Sequence, residues 1–195
     1  MSMSTRGCCT DERFPGAPRT GDAPGTTFGP VPSRRFGRSL GINNIPPKIC
    51  TYSCAYCQVG RTVQMRTDPA VFHSARDVAA AVRQRVEAAR RVGEPIDHLS
   101  FVPDGEPTLD LDLGAAIRLL RPLGIPVAVI TNGSLLSRAD VRAALAAADH
   151  VSVKVDAVRE AAWRKVNRPH RRLDLASVLE GVEKFAADFR GVLTT

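Results

Sequence analysis

No stretch of this chain approaches the roughly 20 consecutive apolar residues that a bilayer span requires. The N-terminus also lacks the basic start and continuous apolar block of a secretion signal. Both absences predict a soluble, cytoplasmic protein with no membrane partner. No Ser-His-Asp set and no paired-carboxylate machine can be identified, so ordinary hydrolytic catalysis has no visible apparatus. Cysteine is scarce, five in 195 residues, and unevenly placed. An odd count, with Cys50, Cys54 and Cys57 crowded into "CTYSCAYC", does not suit a disulfide framework and suits a metal site in a reducing compartment.

The length suits one domain, and a hydrophobic content of 44% is enough for a core. The formal charge of +7 favours anionic partners such as nucleotides or RNA. Residues 1–27 are rich in Gly, Pro, Thr and charge and read as a flexible tail, with Cys8 and Cys9 idle inside it. Residues 28–195 read as the folded core.

Elements alternate along that core. "SLGINNI" is a strand with Leu40 and Ile42 on one face, followed by the cysteine loop. Ser74 and Asp77 form a capping box opening a helix with Val78, Val82 and Val86, which stops at Gly93. "IDHLSFV" is a strand, and "DGEPT" leads to a helix with Leu113, Ile117 and Leu120. "PVAVIT" is a strand, "NGSLL" a turn, and Ser137 with Asp140 a second capping box before Val141 and Leu145. "HVSVKVDA" is a fourth strand. A helix carrying Leu175, Val178, Val182 and Phe189 follows, ended by Gly191, and "VLTT" starts a fifth strand.

This order means parallel strands with helical crossovers, an α/β fold wound as a barrel or part-barrel or as a doubly wound sheet. On the fourth strand Val151, Val153 and Val155 alternate with Ser152, Lys154 and Asp156. One polar face suits a barrel lumen, or an amphipathic edge strand, better than a sheet covered on both sides. Every chemically suggestive stretch follows a strand, as expected for the C-terminal mouth of a barrel.

Structural zinc takes four ligands, commonly in paired knuckles. Here three cysteines are spaced C-x3-C-x2-C, and His73, the distant candidate for a fourth, sits just before a helix cap. Thiolates also ligate iron–sulfur clusters, and three of them on a [4Fe–4S] cubane leave one iron open to a small molecule. A zinc-dependent nucleic-acid-binding module is the alternative.

The cysteine spacing, Tyr56 inside it, and "GEP" after the next strand together resemble the radical S-adenosylmethionine (SAM) superfamily. The stretches "GPVPSRRFGRSLGINNIPPKICTYSCAYCQVGR", "VPDGEPTLD" and "VNRPH" look like the subgroup of wyosine-type tRNA-modifying enzymes. The resemblance implies a partial (β/α) barrel, incomplete at its C-terminus, and an enzyme that reductively cleaves SAM to a 5′-deoxyadenosyl radical, which abstracts hydrogen from a substrate. Cys50, Cys54 and Cys57 would ligate three irons, and the fourth would take the methionine end of SAM. Tyr56 would lie beside the adenine, and Gly105 and Glu106 would contact the methionine amino group. Asn132 and either Ser152 or Lys154 are candidates for the ribose or carboxylate, and Asp156 is a further candidate in the lumen. Lys48 and Lys154 are candidate catalytic residues, Lys48 as an amine for a carbonyl substrate. An external one-electron reductant such as flavodoxin or ferredoxin is implied, and tRNA or another phosphate-bearing molecule is the implied substrate. "SRR" (Ser33–Arg35) and "NRPHRR" (Asn167–Arg172) are candidate anion contacts. Two departures stand out: Asp104 occupies the first position of what is often "GGEP", which bears on backbone freedom, and only Cys8 and Cys9 stand for the upstream cysteines of wyosine-forming enzymes, which counts against a tRNA substrate. Because "GVLTT" stops where a fifth strand begins, a truncated cluster-binding protein without catalytic activity is a further alternative.

Overall fold

The computed structural model describes residues 26–195, so Cys8, Cys9 and nearly all of the expected tail lie outside the described residues. The described residues open with an antiparallel hairpin, β1 (Thr27–Ser33) and β2 (Gly37–Ile42). The short strands β3 (Ile49–Cys50) and β4 (Gln64–Met65) bracket the cysteine loop and pair with each other in parallel. Then come α1 (Ala75–Arg91), β5 (His98–Phe101), α2 (Leu113–Leu120), β6 (Val127–Thr131), α3 (Ala139–Leu145), β7 (His150–Val153), α4 (Glu160–Val166), α5 (Leu175–Asp188) and β8 (Val192–Thr194).

The main sheet has the order β1-β2-β5-β6-β7-β8, and every pairing after β1–β2 is parallel. The strands of the main sheet from β2 onward sit side by side in the order in which they occur along the chain, with β3 and β4 paired apart from it. A doubly wound sheet reverses its strand order at a switch point; this one does not. Winding in one direction is the winding of a barrel, here an open part of one.

The two faces differ as the fourth strand alone suggests. Leu40, Ile42, Leu99, Phe101, Val127, Val129, Val151 and Val153 pack in one buried cluster with Val78, Val82 and Val86 of α1 and Ile117 and Leu120 of α2. Each such side chain contributes about 1.5–3 kcal/mol by leaving water. Ser39, Ser100, Ala128 and Ser152 at alternate positions are small or polar, whereas Ile130 on β6 is not. The Ser39 hydroxyl donates to Ser100 Oγ at 2.6 Å, and Arg35 Nη1 donates to Ser152 Oγ at 2.7 Å. Phe36 closes the end from which the parallel strands start, with its ring 5.3 Å from that of His98 and 4.9 Å from that of His150.

Ser74 caps α1 as expected, accepting from the Asp77 amide at 3.1 Å, and Gly93, at φ +70°, follows the helix end. Four expectations need correction. Ser137 caps nothing: Arg138 is the N-cap of α3, without a side-chain cap bond, and its guanidinium pairs with Asp140 at 2.7 Å. The ion pair holds the aspartate that a capping box would have used. The fourth strand ends at Val153, so Val155 is exposed and Lys154 and Asp156 belong to the following loop. Phe189 lies just past α5, where it stacks on Phe185 at 4.8 Å between centroids. Finally, β1 and α4 are elements that the alternation does not predict. β1 is rich in Pro and Gly, and α4 buries only Trp163.

Candidate metal and cofactor site

The cysteine loop leaves β3 at Cys50 and returns at β4. Inside it the Cys57 amide donates to the Cys54 carbonyl at 3.2 Å, and the Gly60 amide to the Cys57 carbonyl at 3.0 Å. At its far end Val63 N donates to Lys48 O at 3.0 Å, and its remaining partners come from the end of α4 and the segment that follows it. Ser53 N donates to the carbonyls of Asn167 and Arg168, both at 3.1 Å, and Ala55 N donates to Val166 O at 2.8 Å. His170 N returns a bond to Thr51 O at 2.9 Å. Beneath them Tyr52 and Trp163 meet edge to face, and the indole N–H donates to the Tyr52 hydroxyl at 3.1 Å. Residues 166–170 thus clamp the loop in place.

Two amides point at sulfur. Asn132 Nδ2 lies 3.7 Å from Cys50 Sγ and also donates to Thr51 Oγ1 at 2.8 Å. Asn167 Nδ2 lies 3.6 Å from Cys54 Sγ and donates to Asp156 Oδ2 at 2.6 Å. Such N–H groups suit a sulfur carrying negative charge, as a metal-bound thiolate does. Burial, with the Glu106 carboxylate adding to it, pushes the Cys50 thiol up to about 12, and burial also raises Cys54. Both thiols therefore keep their protons at neutral pH until a cation compensates the charge. Cys57 is exposed. Among the described residues, no three His, Cys, Asp or Glu side chains converge as the shell of a single ion. A cubane makes a different demand, since its thiolates bind separate irons. Three thiols on one loop, two of them facing amide donors, fit that group. The electrostatic neighbour of His73 is Asp110.

The "GEP" loop is fastened to β3. Glu106 N donates to Ile49 O at 3.1 Å and Lys48 N to Asp104 O at 2.6 Å. A Cβ on Gly105 would overlap the Ile49 carbonyl oxygen, so only glycine permits this approach. The Glu106 side chain is buried and accepts four bonds. Oε1 takes the Thr108 amide at 3.1 Å, the Thr108 hydroxyl at 2.6 Å and the Thr131 hydroxyl at 2.6 Å; Oε2 takes the Asn132 amide at 2.8 Å. Burial raises its pKa and these donors oppose the rise. Glu106 ties the loop after β5 to the turn after β6, and so aims Asn132.

Tyr56, Lys154 and Asp156 form a second group at the mouth. The Tyr56 hydroxyl donates to Asp156 Oδ2, the Lys154 ammonium sits 4.3 Å from the Tyr56 ring centroid, and Lys154 Nζ lies 3.9 Å from Asp156 Oδ1. Burial, together with the hydrogen bond to Asp156, raises the Tyr56 pKa. Two sequence candidates lie apart from this group. Ser152 is engaged by Arg35, and Lys48, at φ +63°, lies against Gly60 of the cysteine loop. Thr51, Thr108, Thr131 and Trp163 were not legible as site residues, because hydroxyls and one buried ring carry no spacing signal. Asn167 stands inside "VNRPH", where the basic residues draw the eye first.

The family profile described as the Radical SAM superfamily matches residues 44–195. The UPF0026 protein MJ1312 of Methanocaldococcus jannaschii is 49% identical over 168 residues, covering 86% of this chain and 52% of that protein. The UPF0026 protein slr1464 of Synechocystis is 34% identical over 169 residues, covering 86% and 62%. The chain thus spans between half and two thirds of the length of these two relatives. Among solved structures, Streptococcus suis SuiB bound to precursor peptide SuiA superposes with TM-score 0.53 at 16% identity, covering 76% of this chain and 31% of that one. Archaeal TYW1 superposes with TM-score 0.50 at 16% identity, covering 80% and 54%. At these identities the likeness is one of fold.

Proposed function

Because the chain belongs to the radical SAM superfamily, we propose that Cys50, Cys54 and Cys57 hold a [4Fe–4S] cluster with one iron left for SAM. When bound, this group supplies one-electron cleavage of SAM to a 5′-deoxyadenosyl radical that takes hydrogen from a substrate. The protein's part is orientation and the exclusion of water. Asn132 and Asn167 set the thiolates of Cys50 and Cys54. Glu106 and Gly105 fix the loop on which Asn132 depends. Tyr56, Lys154 and Asp156 line the mouth where the nucleoside end of SAM would lie, with the Tyr56 ring 45% exposed and open to stacking.

The observation that carries the reading is the pair of asparagine amides at 3.7 and 3.6 Å from two of the three loop sulfurs. The test is anaerobic reconstitution followed by a strong chemical reductant and SAM. Loading of about four irons per chain, with release of 5′-deoxyadenosine and methionine, is expected. Iron loading without 5′-deoxyadenosine would make the chain a cluster binder and sink the enzyme reading, and stoichiometric zinc would sink both. The finer reading, a tRNA-type or other phosphate-bearing substrate, is supported by the charge of +7. Its check is binding of tRNA that weakens as salt is raised.

A further inference from the structure

On the outer side of the cysteine loop lies an open groove of about 390 Å3, lined by Ser53, Thr62 and Met65 on one side and Arg164, Arg168 and Pro169 on the other, with Arg61 at the loop. We propose that this groove docks an acidic electron-carrier protein that reduces the cluster, a reading that rests on the proposed SAM cleavage.

The argument begins with charge. The groove brings three guanidinium groups together, all on exposed residues. Arg164 is neutralised by Glu160 at 2.6 Å, whereas Arg61 and Arg168 form no ion pair among the described residues. Arg168 is also held at φ +46°, a conformation that L residues rarely adopt outside constrained sites. Position comes next. Ser53 adjoins Cys54 in the chain, and Arg168 adjoins Asn167, whose amide lies 3.6 Å from Cys54 Sγ. A partner seated in the groove therefore faces the back of the ligand loop, across one layer of peptide from a ligating sulfur. The mouth, with Asn132, Lys154 and Asp156, stays free for SAM and substrate.

The lining also says which anionic partner fits. Sites for single-stranded nucleic acid pair a basic channel with aromatic platforms for the bases, and none of the groove's lining residues is aromatic. Redox partners, by contrast, meet through small, weak interfaces steered by complementary charge. In the docked complex one electron leaves the partner's reduced flavin or iron–sulfur centre and enters the cluster, so the partner is oxidised by one electron for each electron the cluster gains.

The test uses flavodoxin as the acidic probe and the reconstituted protein with Arg61→Glu and Arg164→Glu combined, which leaves the clamp at residues 166–170 untouched. Flavodoxin binding is expected to weaken about tenfold or more and to lose its salt dependence. The flavodoxin-supported rate of 5′-deoxyadenosine formation falls with it, while the dithionite-supported rate stays within about twofold of the unaltered protein, because a small reductant needs no docking surface. The double Arg→Lys variant, which keeps the charge, should bind as the unaltered protein does. Unchanged flavodoxin binding on charge reversal would overturn the proposal, as would an RNA oligonucleotide displacing flavodoxin from the groove. Absence of 5′-deoxyadenosine from the unaltered protein with dithionite would instead count against SAM cleavage itself, and the binding measurement would still judge the groove.

Discussion

Asn167 joins three parts of the mouth. Its backbone carbonyl holds Ser53, and its amide serves both Asp156 and Cys54 Sγ. Hydrogen bonds to cluster sulfurs stabilise the more negative, reduced state and raise the potential. Asn167→Leu should therefore lower the cluster potential by tens of millivolts, with about 59 mV matching each tenfold loss of stabilisation for one electron. Asn167→Ser, which retains a donor, should lower it less. Potentiometric titration followed by electron paramagnetic resonance reads the difference, and an unchanged potential in Asn167→Leu would deny the residue this role. Asp110 permits a test by pH. Burial first, and then the nearby charge of Asp112, raise its pKa from 3.8 to about 6, against the opposing hydrogen bonds from Asn44 and the Asp112 amide and the charge of His73. The folded state thus holds this proton to a higher pH than the unfolded state does. The stability it confers is complete below about pH 3.8 and is lost as pH rises through about 6. Asp140, held low by Arg138, slopes the other way, and so do Asp174 and Glu180. A comparison with Asp110→Asn cancels them. The unaltered protein should lose about 1–2 kcal/mol relative to Asp110→Asn between pH 4 and pH 7, measured by denaturant unfolding at each pH.

At the scale of elements, two glycines show how differently one residue type is used. Gly93 stops α1 at φ +70° with nothing near its Cα that a Cβ would meet. Gly93→Ala should cost about 1–2 kcal/mol of left-handed strain and nothing at the site. Gly105 is required by the carbonyl of Ile49 against which it packs. Gly105→Ala should cost about 1–3 kcal/mol of overpacking and, by pushing the "GEP" loop off β3, should also lower iron retained after desalting. Equal iron retention in the two variants would show that the loop's seat on β3 is not needed by the cysteine loop. The same contrast explains what was legible beforehand. Local signals, such as the valine spacing of α1, its Ser74 cap and the alternation in "PVAVIT", depend on near neighbours and read directly. The Ser137 cap failed because a competing partner, Arg138, stands one residue away. β1 was missed because its sequence, "TFGPVPS", carries two prolines, and an edge strand tolerates them. α4 was missed because seven residues with one buried side chain leave no period to detect.

For the whole molecule, the alternation of elements fixes parallel strands, but the direction of winding is settled only by long-range pairing. The polar face of "HVSVKVDA" anticipates it, and Ser39 and Ser100 extend that face across the sheet. The cysteines were legible because three thiols at that spacing have few other uses, whereas the clamp at 166–170 was not, since backbone hydrogen bonds leave no mark on side-chain identity. Strand framework and clamp predict an uneven response to cluster loading. Loading draws on folding free energy only where the ligands are held. The framework from β2 to β7 is already buried and paired without the cluster, whereas the loop between Cys50 and Gln64 relies on the clamp and a few turn bonds. Binding at about a hundredfold excess over the dissociation constant adds about 2.7 kcal/mol, which for a chain of this size raises the unfolding midpoint by about 5–10 °C. Hydrogen exchange should show the gain as slower exchange at Ser53, Ala55, Cys57 and His170, with the amides of β5 and β6 little changed. Uniform protection across the sheet would mean that the cluster orders the whole domain, and slowed exchange confined to Cys57 would mean that the clamp does not bear on the ligands.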